Sequence, residues 1–288
     1  MARKPVVAGK FYEQHPRLLR EQIRQCFLHS KGPGEIKEVE EDKGRSVLGA
    51  VSPHAGYMFS GMCAAHVFKA IKDTGDYDTF FILGFSHSQN DSNEITITSQ
   101  DWQTPLGKAR LDKDFADKLL ELDFVSEDDK AHEFEHSIEV QIPFLQYLYE
   151  DIKIVPLSIA GNCDIVRATN EIKKIIEGEN KKVCFIASSD FTHYGPGFGY
   201  LPFSDNVKES LKKLDFGAIE KIKSADTKGF IDYVENTGAT ICGKQPIALL
   251  IELLKDDAVK IETLSYYTSG DILSDYTNAV SYAGIIFE

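Results

Sequence analysis

VLGAVSPHAGYMFSG, residues 47–61, decides how this chain is read. The apolar run 47–51 predicts a short buried strand, stopped by the breaker Pro53. That strand delivers His54 into a loop containing Gly56 and Tyr57. Ser60 is placed to cap the next helix, whose apolar face is Cys63, Ala64, Val67, Phe68 and Ile71. A strand ending in a histidine beside a glycine is how α/β folds present chemistry, because ligands bind at the carboxyl ends of strands.

The same device recurs twice. Residues 79–83 form a second apolar strand running into Gly84-Phe85-Ser86-His87. Residues 182–187 form a third, ending in Ser188-Ser189-Asp190-Phe191-Thr192-His193-Tyr194-Gly195. Around these, helices are expected from Pro16 to Phe27, from a cap at Asp112 to about Leu122, from Ser137 with a kink or restart at Pro143, over 165–176, within 204–236 and over 246–254. Further strands are expected at 94–98, 153–159, 259–267 and 279–287, with an irregular or hairpin segment at 102–111. Residues 32–45 and 126–131 read as polar loops. Strands alternating with helices give an α/β fold: one domain over residues 1–288, with a central, mostly parallel sheet flanked by helices.

Charge and composition exclude several partners. The 288 residues carry 32 basic and 45 acidic side chains, a net charge of −13, without a sustained basic run. Nucleic acids and anionic membranes both need clustered Lys and Arg, so neither is expected as a partner. The N-terminus lacks the apolar core of a signal peptide, and no segment approaches the length of a membrane span, so a cytoplasmic protein is expected. Five widely spaced cysteines with no CxxC pair argue against a disulfide framework or a zinc knuckle.

Four cysteines sit inside apolar runs as small core residues, but Cys242 stands beside Gly243 and Lys244 just before a helix. A thiol at a helix N-terminus near a cation is expected to have a lowered pKa, the state a metal or an electrophile requires. Asp190 and His193, three residues apart, can point into one crevice, with the carboxylate fixing the imidazole tautomer. His132-Glu133-Phe134-Glu135-His136 matches the HExxH zinc-protease pattern, which works only where both histidines share a helix face. The residues before it give no apolar helical face, so Glu133 is read as part of a polar loop and peptidase activity is not expected. His136 and Glu139 remain able to reach the crevice by another route.

RKPVVAGKFY, PHAGYMFSG, LGFSH, EHSIEVQIPFL, SSDFTHYG, ICGKQPI and YYTSGD, in this order along nearly the whole chain, resemble the signature blocks of the Memo family, whose microbial members are also called AmmeMemoRadiSam system protein B. One departure is Phe85, where the family pattern leads one to expect proline. The resemblance implies a fold like that of the class III extradiol dioxygenases (LigB-like), non-haem iron enzymes that use two histidines and a glutamate as ligands. Carried over, His54 and His87 match the histidine ligands, Cys242 takes the carboxylate's place, and His193, with Asp190 in the same block, matches the acid/base. Tyr57, His136 and Tyr194 are further pocket residues by this reading.

The expected function is therefore a metal-binding, dioxygenase-like oxidoreductase using Fe(II) or copper, with no organic cofactor and a small-molecule or peptide ligand in the crevice. The thiolate in the carboxylate's place bears directly on whether dioxygenase chemistry occurs. Two imidazoles and a thiolate also suit zinc, which gives a hydrolase as one alternative. A crevice that binds a ligand or peptide without turnover is the other.

Overall fold

The structure is a computed structural model that describes residues 2–36, 46–85, 94–258 and 260–288. The N-terminal lead-in contains a two-residue strand, β1 (Ala2–Arg3), before helix α1 (Pro16–Leu28), which Pro16 opens as expected. The deciding stretch forms strand β2 (Gly49–Ser52) and helix α2 (Tyr57–Asp73). The helix starts a turn earlier than the Ser60 cap implies: Gly56 is its N-cap, and the Ser60 hydroxyl instead donates to the Ala55 carbonyl at 2.8 Å. Strand β3 (Thr79–Phe85) follows, then β4 (Ile95–Ile97) and the hairpin of β5 (Asp101–Thr104) and β6 (Gly107–Leu111). Asp112 caps α3 (Lys113–Leu119), its side chain accepting from the backbone of Phe115.

Residues 126–131 are not the plain loop their polarity implies. They contribute to strand β7 (Val125–Glu127) and to helix α4 (Asp129–Glu133), which the Asp128 carboxylate caps through the amides of Lys130 and Ala131. Helix α5 (His136–Glu139) and helix α6 (Ile142–Leu148) are separate pieces, with Pro143 in the first turn of the second, so proline restarts the chain instead of kinking one helix. Then come β8 (Lys153–Ile159), α7 (Ile165–Glu177), β9 (Val183–Ser188) and the short β10 (His193–Tyr194). The chain closes through α8 (Val207–Lys223), α9 (Thr227–Thr237), α10 (Lys244–Leu254), β11 (Ile261–Thr268), α11 (Ser269–Leu273) and β12 (Ala279–Phe287).

Among the described residues one sheet runs in the order β1-β5-β6-β8-β3-β9-β2-β12-β10, with β11 also on β12 and β4 also on β8 and β7. The central strands β6, β8, β3, β9 and β2 are parallel, while β12 returns antiparallel to β2 and carries β10 and β11 antiparallel. The sheet is thus mixed, parallel at its centre. Side-chain alternation along the buried strands feeds two cores. Phe81, Leu83, Val155, Phe185 and Ala187 pack with α3, α7 and α10. Phe80, Ile82, Ile154, Cys184 and Ile186 pack with α1, α2 and α6. Strands β3, β9 and β2 lie side by side with their carboxyl ends at one edge, where the histidine-bearing loops begin.

Candidate functional site

Beyond the ends of β2 and β9 lies a cavity of about 500 Å³. His54, His136, Asp190, His193 and Cys242 all line it. His87 lies outside the described residues, two positions beyond the end of β3.

His54 is held on three sides. Its backbone N–H donates to Asp190 Oδ1 at 2.8 Å, and the Ala55 N–H reaches the same oxygen at 3.3 Å. Its ring Nδ1 lies 3.0 Å from Ser188 Oγ. Ser188 fixes the tautomer by elimination. Its single hydroxyl proton goes to the Ser137 carbonyl at 2.6 Å, so it accepts from Gln141 Nε2 at 2.8 Å. The orientation of that amide is set by its second bond, to the Pro53 carbonyl at 3.0 Å. The remaining lone pair on Ser188 then accepts a proton carried on His54 Nδ1, which leaves the lone pair on Nε2. That atom faces Cys242 Sγ at 3.1 Å.

Cys242 reaches this position because Gly243 has no side chain. A Cβ at Gly243 would come within 2.4 Å of Ser189 Cβ and 2.6 Å of the Ser188 carbonyl, whereas the bare Gly243 N–H donates to Ser189 Oγ at 2.9 Å. The expectation of a lowered thiol pKa is not met. Burial pushes the Cys242 thiol well up, and the nearby Asp190 charge adds to that. The cation expected to lower it is engaged elsewhere, with Lys244 Nζ on Glu235 at 3.0 Å.

His193 is anchored differently from the expectation. Asp190 does not set its tautomer: His193 Nδ1 donates to the Thr240 carbonyl at 3.1 Å, and its backbone N–H donates to Thr240 Oγ1 at 2.8 Å. The ring stands edge-on to Phe198 with centroids 5.1 Å apart. His136 packs edge-on between His54, at 5.6 Å, and Phe11, at 5.2 Å.

The HExxH pair is divided by the fold. Phe134 and Glu135 separate α4 from α5, so the two histidines share no helix face. His132 is fully buried with Nε2 donating to the Thr96 carbonyl at 3.1 Å, while His136 faces the cavity. Glu133 ends the short α4 with its side chain exposed, a helical position where a polar loop is expected. Glu139 stays out of the crevice altogether. It is completely buried under the N-terminal segment, paired with Arg3, and accepts from the Val6 and Val7 amides and from Tyr12 at 2.6 Å. Tyr57 and Tyr194 likewise turn away from the cavity, donating to the carbonyls of Val140 at 2.6 Å and Phe203 at 2.8 Å. Ser188 and Gln141, which orient His54, escaped the sequence reading. Both stand inside quoted motif blocks, but a serine at a strand end and a glutamine in a helical run carry no chemical signal by themselves.

His54 and Cys242 fit a metal ion as two of its ligands. Nitrogen and sulfur donors bind zinc-like ions at about 2.0 and 2.3 Å, which puts the two donor atoms about 3.5 Å apart around a tetrahedral centre. The observed 3.1 Å needs only a small adjustment. Among the described residues no group of three or more His, Cys, Asp or Glu side chains gathers in metal-binding geometry. No helix among them is long and apolar enough to cross a membrane.

Fold and cavity together define the class: an α/β protein whose pocket opens where its parallel strands end, with histidine and cysteine donors facing each other across it. The family model for Memo-like protein matches residues 3–286, and the chain belongs to that family. A MEMO1 family protein of Methanopyrus kandleri is 40% identical, the match covering 100% of this chain and 99% of the relative. Others from Sulfurisphaera tokodaii, at 39%, and Methanobrevibacter smithii, at 37%, are matched over 100% of this chain and 99% and 100% of their own lengths.

Proposed function

We propose that the cavity is a metal-dependent, oxidoreductase-type site in which His54 and Cys242, joined by His87, hold iron or copper. The observation that carries this reading is the His54 Nε2 lone pair facing Cys242 Sγ at 3.1 Å, with the ring locked from behind by Ser188. A buried network spent on fixing one imidazole tautomer is what a ligand histidine requires. An ion held there would supply Lewis acidity and one-electron redox chemistry toward a bound small molecule. The protein's own groups do the rest. Asp190 holds the His54 loop through two backbone N–H groups. His193, its Nδ1–H fixed on Thr240, takes or returns a proton at Nε2. The aromatic side chains Phe11, Phe59 and Phe198 give the ligand an apolar surface to lie against.

Elemental analysis of protein purified without chelators or an affinity tag tests this. Iron or copper at about one ion per chain is the expected result, with Cys242→Ser losing most of it while remaining folded. Zinc in its place would move the reading to a hydrolase. Normal metal content in Cys242→Ser would overturn the thiolate ligand. Ligand binding that survives complete metal removal, without turnover, would favour a pure binding module.

A further inference from the structure

The N-terminal turn carries a charged group to the same cavity. Val7 accepts the backbone N–H of Lys10 at 3.0 Å and of Phe11 at 2.8 Å, and Gly9 N–H donates to Tyr12 at 2.7 Å. Gly9 sits at φ +79°, a left-handed conformation that closes this turn cheaply only for glycine. The turn is tied to the site loop by Tyr57 N–H donating to the Phe11 carbonyl at 2.7 Å. Beneath it, the buried Arg3–Glu139 pair and the Glu139 bonds to Val6, Val7 and Tyr12 fix the segment against α5. The products of this construction are two cavity-lining side chains, Lys10 and Phe11.

The charges in the cavity are unequal in availability. Asp190 already uses Oδ1 on the His54 and Ala55 amides, and its Oδ2 lies 4.0 Å from His54 Nε2. Lysines elsewhere, such as Lys69, Lys181 and Lys244, reach carboxylates. Lys10 is exposed at the cavity and has no ion pair or side-chain hydrogen bond among the described residues. Much of the remaining lining is apolar: Phe11, Phe59, Phe198, Leu273 and Val280. In a chain of net charge −13, an anion is repelled unless a local cation receives it.

We propose that Lys10 is the anion-recognition element of this cavity, selecting a small ligand with a flat apolar body and one carboxylate or phosphate group. The apolar body lies among the aromatic walls, and the anionic end is held at the mouth by the ammonium. This rests on the reading of the cavity as the functional site and extends it to the class of molecule bound.

The test uses the full chain and three fluorine-labelled probes of one shape: 4-fluorobenzoate, 4-fluorophenyl phosphate and the neutral 4-fluorobenzamide, with dissociation constants read by fluorine NMR. At least one anion should bind more tightly than the amide, and the stronger of the two identifies the group recognised. Lys10→Met should weaken that anion about tenfold, as loss of a charge-assisted contact does, with amide binding unchanged and Lys10→Arg restoring most of the loss. Repeating the titrations after chelator treatment, with metal content measured on the same samples, separates the two claims. Anion binding that vanishes with the metal yet ignores Lys10→Met overturns the role of Lys10 and leaves the metal reading standing. A Lys10 effect in protein that holds no iron or copper even before chelation supports Lys10 and overturns the metal reading. Equal binding of amide and anions, or no anion binding at millimolar concentrations, overturns the proposal.

Discussion

Ser188→Ala removes one oxygen and tests the logic of the site. In the folded protein that oxygen donates to the Ser137 carbonyl and accepts from His54 Nδ1 and Gln141 Nε2, all in a fully buried position. Gln141 keeps its second bond, to Pro53, so its loss is partly cushioned. The Ser137 carbonyl loses its Ser188 donor and the His54 Nδ1–H loses its acceptor. Buried groups stranded this way cost about 1–3 kcal/mol each, so a loss of about 2–6 kcal/mol is expected. Urea unfolding followed by circular dichroism reads this as a lower midpoint at an unchanged slope. The second consequence is chemical. With the acceptor gone, the His54 proton can move to Nε2 and block the lone pair that faces Cys242, so metal affinity should fall about 10–100-fold. Isothermal titration on protein confirmed as folded measures that. Gln141→Met is the contrast: it should cost stability while leaving the His54–Ser188 bond, and hence metal affinity, nearly intact. An unchanged urea midpoint together with unchanged metal affinity in Ser188→Ala would refute the tautomer argument outright.

Two further outcomes follow from groups outside the cavity. Glu139→Gln strips the partner from buried Arg3 and turns an acceptor for Val6, Val7 and Tyr12 partly into a donor. A loss of about 3–5 kcal/mol is expected in thermal or urea unfolding, and one below about 1 kcal/mol would show that the pair does not anchor the N-terminal turn. His132 has its pKa held below the ordinary value because burial penalises the imidazolium. Its contribution to stability is therefore complete above about pH 6.5, where the unfolded histidine is neutral, and is lost as pH falls from there through the folded value. Unfolding measured across that range should show a slope of up to about 1.4 kcal/mol per pH unit from this group, which His132→Gln removes; equal slopes in both proteins would contradict it.

Sequence by itself determined the strand-then-histidine frame. Residues 47–51, 80–83 and 183–187 are uninterrupted apolar runs that must be buried on both faces, and such runs belong in the parallel centre of an α/β sheet. Local chemistry also settled Asp112 as a cap and the failure of HExxH as a helical pair, because caps and helix faces depend on residues a few positions apart. The motif blocks, read together, gave the family that the comparison over residues 3–286 bears out. Tertiary structure alone decided the partners. That Cys242 meets His54 across 188 positions, that Thr240 and not Asp190 holds His193, and that Glu139 serves the N-terminal turn instead of the cavity are long-range facts. No spacing encodes them. A buried polar side chain takes whichever partner the packing brings within about 3 Å, and that is settled only once the strands are ordered side by side. The Cys242 thiol makes the same point: its neighbours in sequence argue for a lowered pKa, whereas burial beside Ser189 and Asp190, in the loop after β9, raises it.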